Sequence, residues 1–461
     1  MLVLCLIRRG GVLQPLSLIF QKNAANPSCS GVNMRDSWAA VPSDPSCKKE
    51  GMPPGFHYLI GAQFASGLAD NALLIVSIRF LQEQGYPGWW APLLKFAFNL
   101  AYVLLAPLMG PLADAFPKAR LMAAMNALKL TGVVCMLMGV HPALSFAVIG
   151  LAASAYAPAK YGLVTESVPA RWLVRANGWL EVSVVLSVIL GAALGGVLVS
   201  SHGPDGWAQH LQSWSGRVLG VPTQLLHGFA VVVLVYGIAA LLNAGIRSVP
   251  GEARRVPLRW AAVSWRSFWQ SNLQLWRDPL GGVSLYVTTL YWGIGAVMQF
   301  AVLLWAEQGL GLRLEQGAYM QALVAVGVIV GAALAGRCYR LHSARKVLPM
   351  GLLLAALLPV MAWVQWVWLA IPLLMLAGAA GGMLLVPMNA LLQHRGASIL
   401  SAGRSIAVQG FNENASVLLM LALYSGTLAL GIPLWAIMLM LALVLLLGMW
   451  PVCRPAHRRA L

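Results

Sequence analysis

Three acidic residues lie within apolar stretches of membrane length: Asp70, Glu181 and Glu413. Three lysines, at positions 95, 129 and 160, lie in similar surroundings. A charged side chain at the depth of a bilayer costs several kcal/mol, so such residues usually serve a substrate path, an ion path or a gate. We therefore expect the acids to be partnered by the lysines and to act in charge recognition, proton exchange or gating.

Asp70 and the adjacent Asn71 lie past the middle of the first apolar stretch. An aspartate at this depth could bind a cationic group, exchange a proton, or pair with a lysine across the helical bundle. The structural alternative is an ion pair that only aids assembly. Because a buried ion pair is a weak stabilising device, we favour a functional role.

Lys160 follows Pro158 in the fourth apolar stretch. A proline inside a helix removes a backbone hydrogen bond and kinks the helix, which frees a carbonyl group. A lysine just past that kink can reach a phosphate or a carboxylate. Glu181 is its expected partner at rest, and a purely structural Lys160–Glu181 pair remains the alternative.

The chain contains an internal repeat. The matched positions are Gly110–Arg120 with Gly336–Lys346, Pro158 with Pro387, and Ala176–Glu181 with Val408–Glu413, at offsets of 226, 229 and 232. Asn389 stands in the second half where Lys160 stands in the first, so an amide replaces the cation. A duplicated helical bundle with charges at corresponding positions predicts a secondary transporter.

Composition supports a polytopic membrane protein. Of 461 residues, 59% are hydrophobic and 10% are charged, whereas a soluble chain has roughly a quarter charged residues. The net charge of +17 lies in short loops rather than on one face, which argues against nucleic-acid binding. Six scattered cysteines form no metal or disulfide pattern. Without a Walker A loop or a nucleophile elbow, the sequence predicts neither an enzyme nor a cofactor.

Apolar runs of about 20 residues mark the membrane spans. The predicted spans are 56–80, 89–110, 119–140, 143–166, 174–200, 225–246, 281–305, 318–337, 346–365, 369–393, 403–426 and 432–451. The expected fold is therefore an all-α membrane protein with twelve transmembrane helices in two six-helix halves. A parallel repeat of six helices is the plan of the major facilitator superfamily.

The distribution of lysine and arginine sets the predicted orientation. Nineteen of these residues fall in the loops on one side and three on the other, and cytoplasmic loops carry the excess. We expect both termini in the cytoplasm, and we refer to the lysine- and arginine-rich side of the bundle as the basic end. Trp260, Trp265, Trp269 and Trp276 lie among arginines in the link between the halves and predict a helix along the headgroups.

These patterns divide the chain into five predicted segments. Residues 1–54 are a disordered extension or the product of an over-long gene model whose true start is Met34 or Met52. The others are the first half (55–246), a cytoplasmic linker (247–280), the second half (281–452) and a basic cytoplasmic tail (453–461). An insertion at 201–224 is expected on the periplasmic side.

The run from Gly110 to Arg120 resembles the signature loop of the major facilitator superfamily, Gly-x-x-x-Asp followed by basic residues. Asp114 can cap the start of helix three and face the N-terminus of a neighbouring helix. Lys118 and Arg120 would hold the cytoplasmic face. The predicted role is a gate latch, and a simple capped turn is the alternative.

Several longer runs resemble the bacterial lysophospholipid transporters. They are Ala62–Phe64 with Asp70–Leu74, Ala155–Gly162, Arg175–Gly178 with Glu181, Val386–Gln393, and Ile406–Gln409 with Glu413–Asn414. The resemblance spans about 56–450. It implies a transporter of the Gram-negative inner membrane that moves lysophospholipids, chiefly lysophosphatidylethanolamine, to the inner leaflet. It also implies a separate acyltransferase/acyl-carrier-protein synthetase partner, no cofactor, and a monomer among membrane lipids.

Under this resemblance, Lys160 would meet the phosphate of the headgroup and Asp70 the ammonium. The remaining polar residues would complete the cavity: Asn71, Asn177, Glu181, Asn389, Gln409 and Glu413. Relatives carry an arginine in helix seven where this chain has Gln299, so the phosphate contact rests more heavily on Lys160. Two other functions stay open: a facilitator or efflux pump for a soluble amphiphile or drug, and a non-transporting membrane partner of an acyltransferase.

Overall fold

The computed structural model describes residues 55–86, 90–199, 223–246, 265–312 and 314–453. Two short 3-10 helices, Ala170–Trp172 and Leu341–Val347, join longer elements. The α-helices of these ranges are α1 Phe56–Glu83, α2 Trp90–Leu104, α3 Ala106–Ala115, α4 Lys118–Leu137, α5 Pro142–Ser167, α6 Leu173–Val199, α7 Thr223–Ala244, α8 Trp265–Arg277, α9 Gly281–Gln308, α10 Leu314–Cys338, α11 Pro349–Trp363, α12 Val367–Ile399, α13 Ala402–Ala429 and α14 Leu434–Cys453. The predicted extension (1–54), almost all of the 201–224 insertion and the tail from residue 454 lie outside the described residues.

The described helices confirm the all-α membrane fold. Eleven of them are long and apolar enough to cross a membrane, and α2 with α3 make a twelfth if the bent pair is counted as one span. Trp363, Trp366 and Trp368 are strongly exposed where α11 passes to α12, away from the basic end. Tryptophan favours the membrane–water interface, so their exposure suits a bilayer boundary.

The second span differs from its predicted bounds of 89–110. It consists of α2 and α3, which are bent by 67° at a break next to Leu105, and α3 continues to Ala115. Pro107 stands in the first turn of α3 and has no N–H to donate to the carbonyl of Val103, so the helical ladder is interrupted there. By contrast, α5 continues as a helix through Pro158.

The first half is built around the bundle of α1, α4, α5 and α7. Its apolar core includes Leu73 and Phe80 from α1, Met136 from α4 and Phe229 from α7. The sixth helix approaches α1 closely because a β-carbon at Gly191 would lie only 2.7 Å from the carbonyl oxygen of Leu68. Small residues allow such close approach of membrane helices, and this contact fixes α6, which carries Glu181.

The linker contains the predicted tryptophan helix, α8. Its inner face buries Phe268 and Leu275, and the Phe268 ring meets the Phe411 ring of α13 with centroids 5.1 Å apart. Trp265 and Trp269 are about half exposed, and their rings also contact the Phe411 ring. The helix is present at Trp265, Trp269 and Trp276, whereas Trp260 lies outside the described residues, and the position of the helix along the headgroups stays a prediction.

Candidate substrate site and gate between the two halves

The two halves meet at the basic end through a pair of matched glycine contacts. A β-carbon at Gly110 of α3 would lie 2.8 Å from Cα of Arg404 and 3.3 Å from Cβ of Ala407, both on α13. A β-carbon at Gly336 of α10 would lie 3.4 Å from Cα of Arg175 on α6. The repeat relates Gly110 to Gly336 and Arg175 to Ala407, so both contacts obey the predicted duplication.

Asp114 connects α3 of the first half to α13 of the second. Its Oδ1 accepts a 2.9 Å hydrogen bond from the Gly403 N–H, and its Oδ2 accepts from the Ser401 hydroxyl. A carboxylate at a helix N-terminus is favoured by the unpaired N–H groups and the positive end of the helix dipole. The expected contact with a neighbouring helix is therefore present.

The expected cap on helix three is wrong. The N-cap position of α4 is Pro117, and no side chain caps the N-terminus of this helix. The Asp114 carboxylate bonds the N-terminus of α13 instead. Lys118 pairs with Glu166 at the end of α5, with Nζ and Oε1 2.7 Å apart. Arg120 is exposed. Of the four predicted gating residues, Gly110 and Asp114 contact the other half directly.

A buried pair of amides forms a second connection between the halves. Asn177 of α6 and Gln393 of α12 exchange two side-chain hydrogen bonds, each 2.9 Å long, and both side chains are buried. Asn177 was expected to contact substrate, yet its amide is committed to this clasp. Gln393 was missed as a site residue, and its only signal was its place in the Val386–Gln393 run.

Lys160 and Glu181 lie close to each other without forming the expected ion pair. Each residue is 6% exposed, and in the described part of the chain neither makes a hydrogen bond or a salt bridge. Lys160 Nζ lies 4.3 Å from the ring centroid of Tyr161, a cation–π contact, and it interacts electrostatically with Glu181 at longer range. Two opposite charges are thus held near each other with their hydrogen-bonding capacity unused.

The second half arranges the matching residues differently. Gln409 donates 2.9 Å to the Asn389 side-chain oxygen and 2.8 Å to Glu413 Oε1, so one amide bridges the two residues that correspond to Lys160 and Glu181. In the first half, the equivalent Asn177 reaches across to Gln393 instead. Because Asn177 is turned away, Lys160 and Glu181 receive no hydrogen bond from it, whereas Glu413 accepts one from Gln409.

Asp70 lies in an internal ion pair rather than open to a ligand. Lys129 Nζ is 2.7 Å from Oδ2 and 2.8 Å from Oδ1 of Asp70, and the Tyr236 hydroxyl donates to Oδ1 over 2.6 Å. Asn71 donates its side-chain amide to the Gly67 carbonyl oxygen over 2.8 Å. The expectation that Asp70 would meet a ligand ammonium therefore competes with partners already in place.

Two further predicted residues stand apart from these groups. Gln299 is exposed on α9, and its backbone carbonyl accepts from the Gln321 side chain. Lys95 is exposed on α2 and forms no salt bridge among the described residues. Within the same residues, no group of three His, Cys, Asp or Glu side chains could hold a metal ion.

The chain therefore has two matched helical halves, polar contacts that close the space between them at the basic end, and buried charges beside that space. This construction is that of a secondary transporter, in which one half moves against the other around a central site. The family model of the Major Facilitator Superfamily matches residues 59–414.

Three curated relatives narrow the class. Proteins named lysophospholipid transporter LplT from Shigella flexneri and Yersinia enterocolitica are each 37% identical, over 82% of this chain and 90% and 88% of their own lengths. The Escherichia coli K12 protein of the same name is 36% identical over 82% of this chain and 90% of its own length. The chain belongs to the lysophospholipid transporter family of the major facilitator superfamily.

Solved structures share the fold at low sequence identity. The transporter FucP in its outward conformation has a TM-score of 0.66 at 14% identity, covering 87% of this chain and 98% of its own. The human organic anion transporter MFSD10 (TETRAN) has a TM-score of 0.66 at 15% identity, and the match covers 87% of this chain and 100% of the transporter. These similarities concern the fold alone.

Proposed function

We propose that this protein moves lysophospholipids, chiefly lysophosphatidylethanolamine, across a bacterial inner membrane to the cytoplasmic leaflet by alternating access. It works as a monomer with both termini in the cytoplasm and has no catalytic activity of its own. A separate acyltransferase/acyl-carrier-protein synthetase re-acylates the delivered lipid. The observation that carries the proposal is the unbonded Lys160–Glu181 couple, buried between the halves of a chain whose relatives carry the lysophospholipid transporter name.

The headgroup of such a lipid supplies what these residues lack. Lys160 donates to the phosphate, because a buried ammonium without a hydrogen-bonded partner gains most from an anion. Glu181 and Glu413, which are near enough to repel each other, share the ammonium of the ethanolamine. Asp70 takes this role only in a state that has released Lys129. The acyl chain stays in apolar surroundings during the movement.

The test is uptake of labelled lysophosphatidylethanolamine by spheroplasts that lack their own transporter and contain an acyltransferase. We expect Lys160→Gln to lower uptake at least tenfold at matched expression, because an uncharged amide cannot neutralise a buried phosphate. Arg79→Ala is the matched control. It removes a cation that is exposed and that, among the residues the structure describes, pairs with Glu83 of its own helix alone, so uptake should be unchanged.

The outcomes separate the three candidate functions. Uptake that needs Lys160 supports the lysophospholipid transporter. Absence of uptake from well-expressed wild type contradicts it and favours a transporter of a soluble amphiphile, which a panel of water-soluble amphiphiles would then reveal. Normal re-acylation with both wild type and Lys160→Gln would point to a non-transporting partner of the acyltransferase.

A further inference from the structure

The two contacts between the halves at the basic end differ in charge. Asp114 stands four residues after Gly110, and Arg340 stands four residues after the matched Gly336. At the first contact, the Asp114 carboxylate accepts from the Gly403 N–H and joins α3 to α13. At the second contact, between α10 and α6, an arginine occupies the place of that carboxylate.

Arginines from both halves meet at this second contact. Gly336 of α10 lies against Arg175 of α6, since a β-carbon at Gly336 would be 3.4 Å from the Arg175 Cα atom, and Arg337 is the next residue of α10. The Arg175 guanidinium lies over the Trp172 ring, 5.4 Å from its centroid. We call the exposed residues Arg175, Arg337 and Arg340 the arginine triplet. Its charges belong to opposite halves and repel each other where the basic end closes.

The acids of the basic end are engaged elsewhere. In the described part of the chain they are Asp114, Glu166 and Asp278. Asp114 bonds the N-terminus of α13, Glu166 pairs with Lys118, and Asp278 pairs with Arg395. No member of the arginine triplet forms a salt bridge with a described acid. The charge balance of this contact therefore calls for an anion from outside the described chain.

An exposed apolar stripe leads to each of two triplet members. On α6 the stripe follows Arg175 at spacings of 4, 11 and 15 residues, which keep it on one face of the helix. On α10 the stripe precedes Arg337 at spacings of 11, 7 and 3 residues. The exposed residues of the α6 and α10 stripes are, in turn, Trp179, Leu186 and Leu190, and Val326, Val330 and Leu334.

The two stripes face the same side of the bundle. At 3.6 residues per turn, the α6 stripe lies about 90° from Gly178, and the α10 stripe lies about 110° from Gly336 in the same rotational sense. Gly178 and Gly336 are the contact positions, because a β-carbon at Gly178 would be 3.5 Å from the Gly336 Cα atom. Since α6 leaves the basic end and α10 returns to it, these rotations bring both stripes to one side. The buried Glu181 lies about 60° from Gly178 in the opposite sense, so the stripes face lipid rather than the central space.

We propose that the arginine triplet binds the phosphate of an anionic diacyl phospholipid from the leaflet at the basic end, and that this lipid holds the α6–α10 contact closed. The planar donors of arginine fit phosphate oxygens, and basic pockets between membrane helices suit anionic headgroups. A zwitterionic lipid fits less well, because its ammonium would meet the same cations. The inference goes beyond the proposed function, because this lipid is retained rather than transported.

The number of stripes favours a diacyl lipid over a lysophospholipid. One stripe on each helix provides a surface for each of two acyl chains, with the headgroup at the end where both stripes meet arginines. The phosphate then neutralises Arg175 of the first half together with Arg337 of the second, so attraction replaces repulsion across the closed contact. The matched positions in the α3–α13 contact are Ala407 and Pro111. Both are uncharged, so the site exists at one of the two contacts.

The first test measures which lipid the purified protein retains. Native mass spectrometry is performed after mixing with equal amounts of phosphatidylglycerol, phosphatidylcholine and lysophosphatidylglycerol. We expect wild type to retain phosphatidylglycerol at least fivefold more than either other lipid, and the double variant Arg175→Gln/Arg337→Gln to lose this preference. Arg79→Gln is the control, because it removes an exposed arginine of α1 at the opposite end and should retain lipid as wild type does. Equal Tm values of the variants confirm that they are folded.

The second test measures closure in nanodiscs by spin-label distances between the basic ends of α6 and α10. Replacing phosphatidylcholine by phosphatidylglycerol should raise the closed fraction at least threefold in wild type and leave it unchanged in the double variant. Arg340→Asp introduces the missing acid, which can pair with Arg175, so this variant should be closed in both lipids. Inorganic phosphate added to phosphatidylcholine nanodiscs should not close wild type.

Three results would overturn the inference. They are equal retention of phosphatidylglycerol by wild type and the double variant, equal closed fractions in the two lipids, and closure by inorganic phosphate alone. Retention of lysophosphatidylglycerol in preference to the diacyl lipid would also overturn it, because the surface would then belong to the transported lipid. Neither test measures transport, so failure of the uptake assay and failure of this inference are distinguishable.

Discussion

At the scale of single residues, the first half separates its buried charges into two kinds. Asp70 and Lys129 satisfy each other with short bonds and a tyrosine hydroxyl. Lys160 and Glu181 stay near each other but unbonded. A satisfied pair resists a ligand, whereas an unsatisfied couple gains from one. This contrast supports the proposal that the headgroup binds at Lys160 and Glu181 rather than at Asp70.

Lys129→Met should destabilise the protein strongly, because it leaves the Asp70 carboxylate at bilayer depth without its counter-ion. Removing one partner of a buried pair costs about 3–5 kcal/mol. Thermal unfolding in detergent, followed by tryptophan fluorescence, measures the effect. The double variant Asp70→Asn/Lys129→Met should recover most of the loss, and Arg79→Ala, which breaks an exposed pair, should leave Tm nearly unchanged. Equal Tm values for Lys129→Met and wild type would contradict the assigned pairing.

The sequence predicted which residues carry buried charge but not how they pair. Three acids and three lysines in apolar helices allow several pairings, and the choice depends on which helices are neighbours and which faces meet. The contact of α4 with α1 selects Lys129 for Asp70. The Asn177–Gln393 clasp could not be predicted, because an amide gives no signal of whether it meets a ligand or another amide.

At the scale of elements, Asp278 joins three helices. It follows α8 and accepts hydrogen bonds from the Leu280 and Gly281 N–H groups at the start of α9. Arg395 of α12 donates to both of its oxygens, over 2.6 Å to Oδ1 and 3.2 Å to Oδ2. Partial burial alone would raise the pKa of Asp278, but the Arg395 and Gly281 hydrogen bonds outweigh it and hold the pKa below its ordinary value of 3.8.

This lowered pKa predicts an acid-dependent loss of stability. A carboxyl whose pKa is depressed by folding stabilises the protein above its unfolded pKa, and that contribution is lost as pH falls through the folded pKa. We expect the Tm difference between wild type and Asp278→Asn to be constant above about pH 5 and to shrink below pH 4. Tm measured from pH 3 to 7 in detergent checks this. A difference that stays constant down to pH 3 would contradict it.

The close approach of α3 to α13 predicts different effects for two matched glycines. Gly110→Ala places a methyl group 2.8 Å from the backbone of Arg404, whereas Gly336→Ala meets Arg175 at 3.4 Å, an ordinary contact. We expect Gly110→Ala to open the basic end and Gly336→Ala to have little effect. Spin-label distances between the halves at the basic end measure the change. Equal distance distributions in the two variants would refute the difference.

At the scale of the whole molecule, the fold was predictable because it depends on repeated simple signals. Apolar run length gave the spans, and the spacing of matched residues gave two equal halves. Both follow from bilayer thickness and duplication rather than from side-chain detail. The break in the second span was not predicted. Pro107 and Pro111 lie among apolar residues, and hydropathy shows that a segment is apolar but not where its helix axis bends.

The two halves also differ in ways that only the structure reveals. Gln409 satisfies its own half, whereas its counterpart Asn177 joins the other half. The repeat located both residues but could not give them different roles, since each occupies the same place in its helix. The asymmetry supports a ligand with unlike charged ends, in agreement with a zwitterionic headgroup.

The matched glycine contacts have a consequence for the rate of opening. Gly110 against α13 and Gly336 against α6 are related by the pseudo-twofold repeat, so they lie on opposite sides of its axis. Both contacts join the same two halves at the basic end, so opening of that end in one activated step requires both to separate. The barrier then contains the sum of two contact energies, and weakening both should multiply, rather than add, the two accelerations.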